Sequence, residues 1–168
     1  LGRPLHAYDI DKIKGDSLTI RAAGDGEMMT ALNEKEYKLD ASMFIIADAH
    51  GADDLAGIMG GERTGVSEAT TDMFLEVAIF DPISVATTAR KLNINSDARY
   101  RFERGLDVTS PDWVQGYVAR LVTSICGGEA SHVTTAGEGA QWQREITLEA
   151  DKVKRLTGMD VPAADQVA

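Results

Sequence analysis

Cysteine is almost missing from this sequence: Cys126 is the only one in 168 residues. One thiol excludes an intrachain disulfide framework and a cysteine-built metal cluster. Its place beside Ile125 at a helix end predicts a buried, inert side chain. No apolar stretch approaches the roughly 20 residues that span a bilayer. No signal peptide opens the chain, which begins Leu1-Gly-Arg-Pro4 without methionine and stops in mid-pattern at Gln166-Val-Ala168. These features predict a piece of a longer cytoplasmic protein with no membrane contact. Positive charge is also scarce, with 17 Lys and Arg against 27 Asp and Glu and a net charge of -10. That balance argues against a broad basic face for nucleic acid and leaves room only for a local contact. The glycine-serine-glycine elbow of serine hydrolases is absent. Asp48, His50, Asp53 and Asp54 lack the register and closing glutamate of a calcium loop, so they predict a solvated connection between strands.

What is present is ordinary globular composition, 43% hydrophobic and 26% charged, long enough for one full domain and part of another. The pattern predicts a mixed α/β fold with a mixed sheet and packed helices. Short strands are expected at Leu18–Ala22, Met28–Leu32, Tyr37–Leu39, Met43–Ala47 and Leu55–Met59. Phe74–Phe80 is apolar throughout except for Glu76 and predicts a strand buried on both faces. Glu62–Asp72 is polar with few core candidates and reads as a mobile loop over Gly60-Gly61. Asp81 caps a first helix with Pro82 at its first position. Ser96 or Asp97 starts a second that Gly105 ends, and Ser110-Pro111 starts a third whose apolar stripe runs from Val114 to Ile125. Thr134–Gly139 marks a boundary, dividing the chain into 1–135, a linker at 136–145 and 146–168. A strand at Arg144–Leu148 and a short helix from about Asp151 to Leu156, ended by Gly158, complete the reading.

Chemistry concentrates in a few places. His6 can hold a water, donate to a ribose hydroxyl or stack on a base, and equally can fill a half-buried gap. Gly60 and Gly61 leave backbone uncovered, so they can present N–H groups to an ester carbonyl or simply make a tight turn. Glu76 inside an apolar run needs a partner or a purpose, since an unpaired buried carboxylate costs several kcal/mol. Arg90, Arg101 and Arg104 are the available cations. Arg99, Arg101 and Arg104 are interleaved with Asp97, Glu103 and Asp107, which predicts a structural ion-pair network.

Leu5-His-Ala-Tyr-Asp9, Leu55-Ala-Gly-Ile-Met-Gly-Gly-Glu62, Phe74-Leu-Glu76, and Ser96-Asp-Ala98 with Tyr100-Arg-Phe-Glu-Arg-Gly105 occur in that order. In this they resemble the editing domain of bacterial phenylalanyl-tRNA synthetase β subunits, from Gly2 to about Gly128. Ile146 to Val161 resembles the opening of the next domain of that subunit. The resemblance implies hydrolysis of tyrosine from mischarged tRNA for phenylalanine, by water and without a covalent intermediate. It implies that His6, Gly60 and Gly61 line the reacting end and that Glu76 accepts the tyrosine phenol. Ser96 and Ala98 would be small wall positions. Arg99 departs from the small residue usual in the family and is expected to reach solvent. Partners implied are the tRNA 3′ end and a synthetase α subunit in an α2β2 enzyme. ATP and magnesium would serve the synthetic core, which nothing in this stretch resembles, and no cofactor is expected here. A tRNA-end binding module without turnover, or a structural scaffold, are the alternatives.

Overall fold

The alternating stretches form eight short strands, every pair antiparallel, in a computed structural model that describes residues 2–139 and 141–166. They are β1 (His6–Asp9), β2 (Thr19–Ala22), β3 (Met28–Thr30), β4 (Glu36–Lys38), β5 (Phe44–Ala47), β6 (Ala52–Leu55), β7 (Met59–Gly60) and β8 (Met73–Glu76). The helices are α1 (Pro82–Lys91), α2 (Asp97–Phe102), α3 (Pro111–Cys126) and α4 (Lys152–Thr157). The strands form a four-stranded sheet, β2-β5-β6-β7, and two ribbons, β1-β8 and β3-β4. The result is a mixed α+β fold. The chain divides into two compact units, Leu1–Glu138 and Gly139–Ala168.

The core of the first unit gathers Met29, Leu39, Met43, Ile45, Leu55 and Ile58 from the strands and turns. Val85 and Ala89 of α1 pack against it, with Ile94 and Phe102. α1 begins as its sequence predicts, because the Asp81 carboxylate accepts the Ser84 N–H at 2.7 Å. α2 is capped by Ser96, whose Oγ accepts the Arg99 N–H at 3.0 Å. The arginines of α2 form the expected network: Arg101 pairs with Asp97 at 3.0 Å and Arg104 with Glu103 at 2.9 Å. Arg99 is not turned to solvent. It pairs with Glu103 at 3.0 Å and donates to the Ile94 carbonyl at 2.7 Å, holding the entry to α2.

Several expectations are corrected. The Phe74–Phe80 run is a strand only as far as Glu76, and Phe74 is exposed. Its partner β1 begins at His6, two residues after Pro4, which has no N–H to extend the ladder. The Arg3 guanidinium takes the Ala78 carbonyl instead. Leu55–Met59 is not one strand: Leu55 ends β6, Met59 begins β7, and residues 56–58 turn between them. The Ile58 N–H donates to the Leu55 carbonyl at 2.7 Å, and Gly57 adopts φ +72°. Cys126 is exposed, because α3 buries only Val114 and Val118 of its stripe. The Ser110 hydroxyl makes no cap bond and donates to the Asp107 carbonyl at 2.5 Å. Residues 141–149 carry no regular secondary structure, so the strand at Arg144–Leu148 does not form.

The segment after Glu62 is tied down rather than loose. The Asp9 N–H donates to the Thr64 carbonyl at 2.8 Å, and Lys12 Nζ donates to the Gly65 carbonyl at 2.8 Å. Arg63 bonds Asp53 and also reaches Asp48 at 2.8 Å, while Asp53 is fully buried. The presumed solvated connection therefore carries buried charge. Arg63→Ala should destabilise the domain by about 2 kcal/mol, since one partner of a buried pair is left behind. The urea midpoint of unfolding reads this, and an unchanged midpoint would mean that Asp53 is satisfied without Arg63.

Candidate functional site

Five elements meet over a cavity of about 50 Å³. β1 brings His6, β6 Asp54, β7 Gly60 and β8 Glu76; α2 brings Ala98 and Phe102, with Phe80 alongside. Strand register accounts for the convergence. His6 lies directly opposite Glu76, and Asp54 opposite Gly60, so each pair shares a sheet face. Tyr8 shares the His6 face two residues on. Its ring meets the imidazole edge-on at 4.4 Å, and its hydroxyl donates to Glu76 Oε2 at 2.9 Å. A larger cleft of about 200 Å³ lies beside Ile20, Phe44, Ile79 and Val85. Its walls are mostly apolar, and its one carboxylate, Asp81, is spent capping α1. The chemistry belongs to the smaller cavity.

The two glycines are approached by the chain itself. A Cβ on Gly60 would stand 2.2 Å from His6 Cε1, so the absent side chain is what lets the imidazole lie there. A Cβ on Gly61 would stand 2.5 Å from the Asp53 carbonyl oxygen. The Gly61 N–H donates to that same oxygen at 2.6 Å, and Gly61 is not part of the cavity wall. It therefore has no N–H to offer a ligand carbonyl. Ser96 is not a wall residue either: its Oγ donates to the Ile58 carbonyl at 2.6 Å and ties α2 to the β6–β7 bend. His6, Gly60, Glu76 and Ala98 are brought together.

The electrostatics are those of acids without a strong cation. Glu76 is half-buried as a residue, but burial of its carboxyl pushes it up to about 7. The Tyr8 hydrogen bond and the Arg3 charge pull it partway back. Asp54, 5% exposed, is raised well above the usual carboxylate range by burial and by the nearby charges of Glu76 and Asp53. Burial lowers His6, so its imidazole is neutral at pH 7. Its Nε2 lies 3.8 Å from Asp54 Oδ2 and finds no hydrogen-bond partner among the described residues. Arg101 and Arg104 are spent on α2, and the cation acting on Glu76 is Arg3. Among the described residues no group of three or more His, Cys, Asp or Glu can hold a metal ion. No helix among them is long and apolar enough to cross a membrane.

The model of the B3/4 domain matches residues 1–127, which contain every element of this cavity. The chain belongs to the B3/4 domain family. Over nearly its full length it also resembles proteins named phenylalanine–tRNA ligase beta subunit. It is 48% identical over 161 residues to that of Paramagnetospirillum magneticum, covering 96% of this chain and 20% of that protein. With Ruegeria pomeroyi it shares 47% over 164 residues, 98% and 20% of the two chains. With Rhodospirillum rubrum it shares 48% over 166 residues, 99% and 21%. The chain spans about a fifth of the length of these curated relatives.

Three residues in or beside this cavity escape a reading by sequence: Asp54 in its wall, and Tyr8 and Arg3, which act on Glu76. Tyr8 had a signal, because a strand at Leu5–Asp9 places it on the His6 face. Asp54 had a weaker one: of the adjacent Asp53 and Asp54, alternation sends one inward. Both are in fact buried, Asp53 against Arg63 and Asp54 against the cavity. Nothing local marks Arg3, whose bonds run to Ala78 and Ser110.

Proposed function

We propose that this B3/4 domain is part of a phenylalanine–tRNA ligase β subunit and hydrolyses tyrosine mischarged onto the tRNA for phenylalanine. The observation that carries the reading is Glu76, whose carboxyl accepts a phenol, that of Tyr8, at the edge of a cavity shared with a neutral imidazole. The likeness to three ligase β subunits supports it. In this reading the substrate phenol donates to the other oxygen of Glu76. His6 orients the attacking water or the terminal ribose, and Ala98 leaves room for the ring. Phenylalanine in the same place would desolvate Glu76 and give nothing back, so the site selects the ester that carries the extra hydroxyl. A volume of about 50 Å³ takes a water or two, so the walls must part to admit a ring. The partners are the tRNA 3′ end and an α subunit, in the cytoplasm. ATP and magnesium would act at a separate synthetic core.

A second reading, a pocket for the aminoacyl end without turnover, is favoured by the engaged N–H of Gly61. Deacylation of Tyr-tRNA and Phe-tRNA by the intact ligase separates the two. The wild type should release tyrosine well above the uncatalysed rate; release at that rate means binding only. Glu76→Ala should slow tyrosine release about tenfold, the loss of one charge-assisted hydrogen bond. The two esters should then be hydrolysed at similar rates. A parallel fall that kept the tyrosine preference would make Glu76 catalytic or structural rather than the reader of the phenol.

A further inference from the structure

We infer that Phe80 is a specificity-determining residue of this site: its ring is the partition between the cavity and the apolar cleft, and an incoming aromatic side chain takes the place it leaves on turning into that cleft. This rests on the reading of the cavity as the seat of a tyrosyl side chain, and it names the wall that parts. Among the described residues Phe80 is the one that lines both spaces, about 50 Å³ on one side and about 200 Å³ on the other. The Gly57 backbone fixes where the ring stands. A Cβ there would lie 2.7 Å from Phe80 Cδ2 and 3.1 Å from Val85 Cγ2. Gly57 lines the cavity and Val85 the cleft, so the ring lies between them.

Most of the wall is held in place. His6, Asp54, Gly60 and Glu76 sit on paired strands, Phe102 is buried in the core, and Ala98 ends at its Cβ. Phe80 differs. Residues 77–80 carry no regular secondary structure, and their backbone is anchored on both sides, by Arg3 at the Ala78 carbonyl and by the Asp81 cap of α1. The Phe80 side chain is half-buried with empty space behind it, so a turn about χ1 moves the ring without moving the chain. The exchange conserves contacts. Phe80 meets Phe102 edge-on with ring centroids 5.0 Å apart, and a phenol ring in the vacated place inherits that arrangement. In the cleft the Phe80 ring covers Ile20 and Phe44, which are otherwise exposed. Only a ligand that fills the vacated place offsets the cost of the turn, which selects an aromatic side chain over a small one.

The test follows the His6 ring signals by NMR in the full chain, since His6 lines the cavity and not the cleft. The probes are p-cresol, the tyrosine side chain as a free phenol, and toluene, which lacks the hydroxyl. Phe80→Ala should bind p-cresol about tenfold more tightly than the wild type, because no ring has to be turned first. Ser84→Leu should do the opposite and weaken p-cresol about tenfold or more. Ser84 lines the cleft, its backbone N–H keeps the Asp81 cap, and the longer side chain fills the space that Phe80 needs. That variant changes no residue of the cavity and decides the matter if Phe80→Ala does not fold. Equal p-cresol affinity in the wild type and Ser84→Leu overturns the inference. So does equal affinity in the wild type and folded Phe80→Ala, or no His6 shift in any of the three proteins. A preference for p-cresol over toluene that neither variant alters keeps the tyrosyl reading and removes Phe80 from it. Both probes changing together, with no preference for the hydroxyl, supports Phe80 and counts against Glu76 as the reader of the phenol.

Discussion

Glu76→Gln is expected to stabilise the domain by about 2 to 3 kcal/mol at pH 8 and to change little near pH 5. The wild-type carboxyl has an ordinary value of 4.5 and is pushed up to about 7 in the folded protein. Between those values the folded chain holds a proton that the unfolded chain has released. Stability from this group is therefore complete below about 4.5 and lost as pH rises through about 7. Glutamine cannot titrate, and its amide oxygen still accepts the Tyr8 hydroxyl, so the variant escapes the loss. Urea unfolding of both proteins at pH 5 and pH 8 measures the effect. Curves that stay parallel across that range would show that Glu76 does not carry the pH dependence. If Glu76 reads the substrate as proposed, the gain in stability should come with a loss of activity.

The second large effect separates two adjacent glycines. Gly61→Ala should lower stability by about 3 kcal/mol or more and the melting temperature by roughly 10 °C. Its Cβ would meet the Asp53 backbone oxygen at 2.5 Å. The same oxygen accepts the Gly61 N–H at 2.6 Å, so neither strand can shift without breaking that bond. Gly60→Ala should behave differently. Its Cβ meets a side chain, the His6 ring at 2.2 Å, and a side chain can turn away. The variant should fold and melt within a few degrees of the wild type while the His6–Tyr8 ring contact and the cavity are lost. Thermal melts read with the His6 ring signals distinguish the pair. Equal melting temperatures for the two variants would mean that the β6–β7 region yields more easily than its hydrogen bonds imply.

The contrast shows which parts of this protein are written locally. The Asp81-Pro82 start of α1, the Ser96 cap of α2 and the left-handed Gly158 after α4 are legible in sequence, because each depends on residues within one helical turn. The grouping of His6, Gly60, Glu76 and Ala98 was legible by resemblance, and strand register supplies its cause. The motif reading of Gly61 and Ser96 as pocket residues was not met, because both are spent on neighbouring carbonyls that only the packed structure brings near. Phe74–Phe80 reads by composition as a strand buried on both faces, yet a strand exists only while a partner pairs with it, and β1 starts too late to pair past Glu76. Composition also hid Asp54, since an acidic residue in a polar stretch reads as solvated until the strands on both sides close over it. Local sequence determined where turns and helix ends fall, through backbone sterics and caps reaching a few residues. Tertiary structure decided which charges lost water, because burial is set by what packs against a residue from far along the chain.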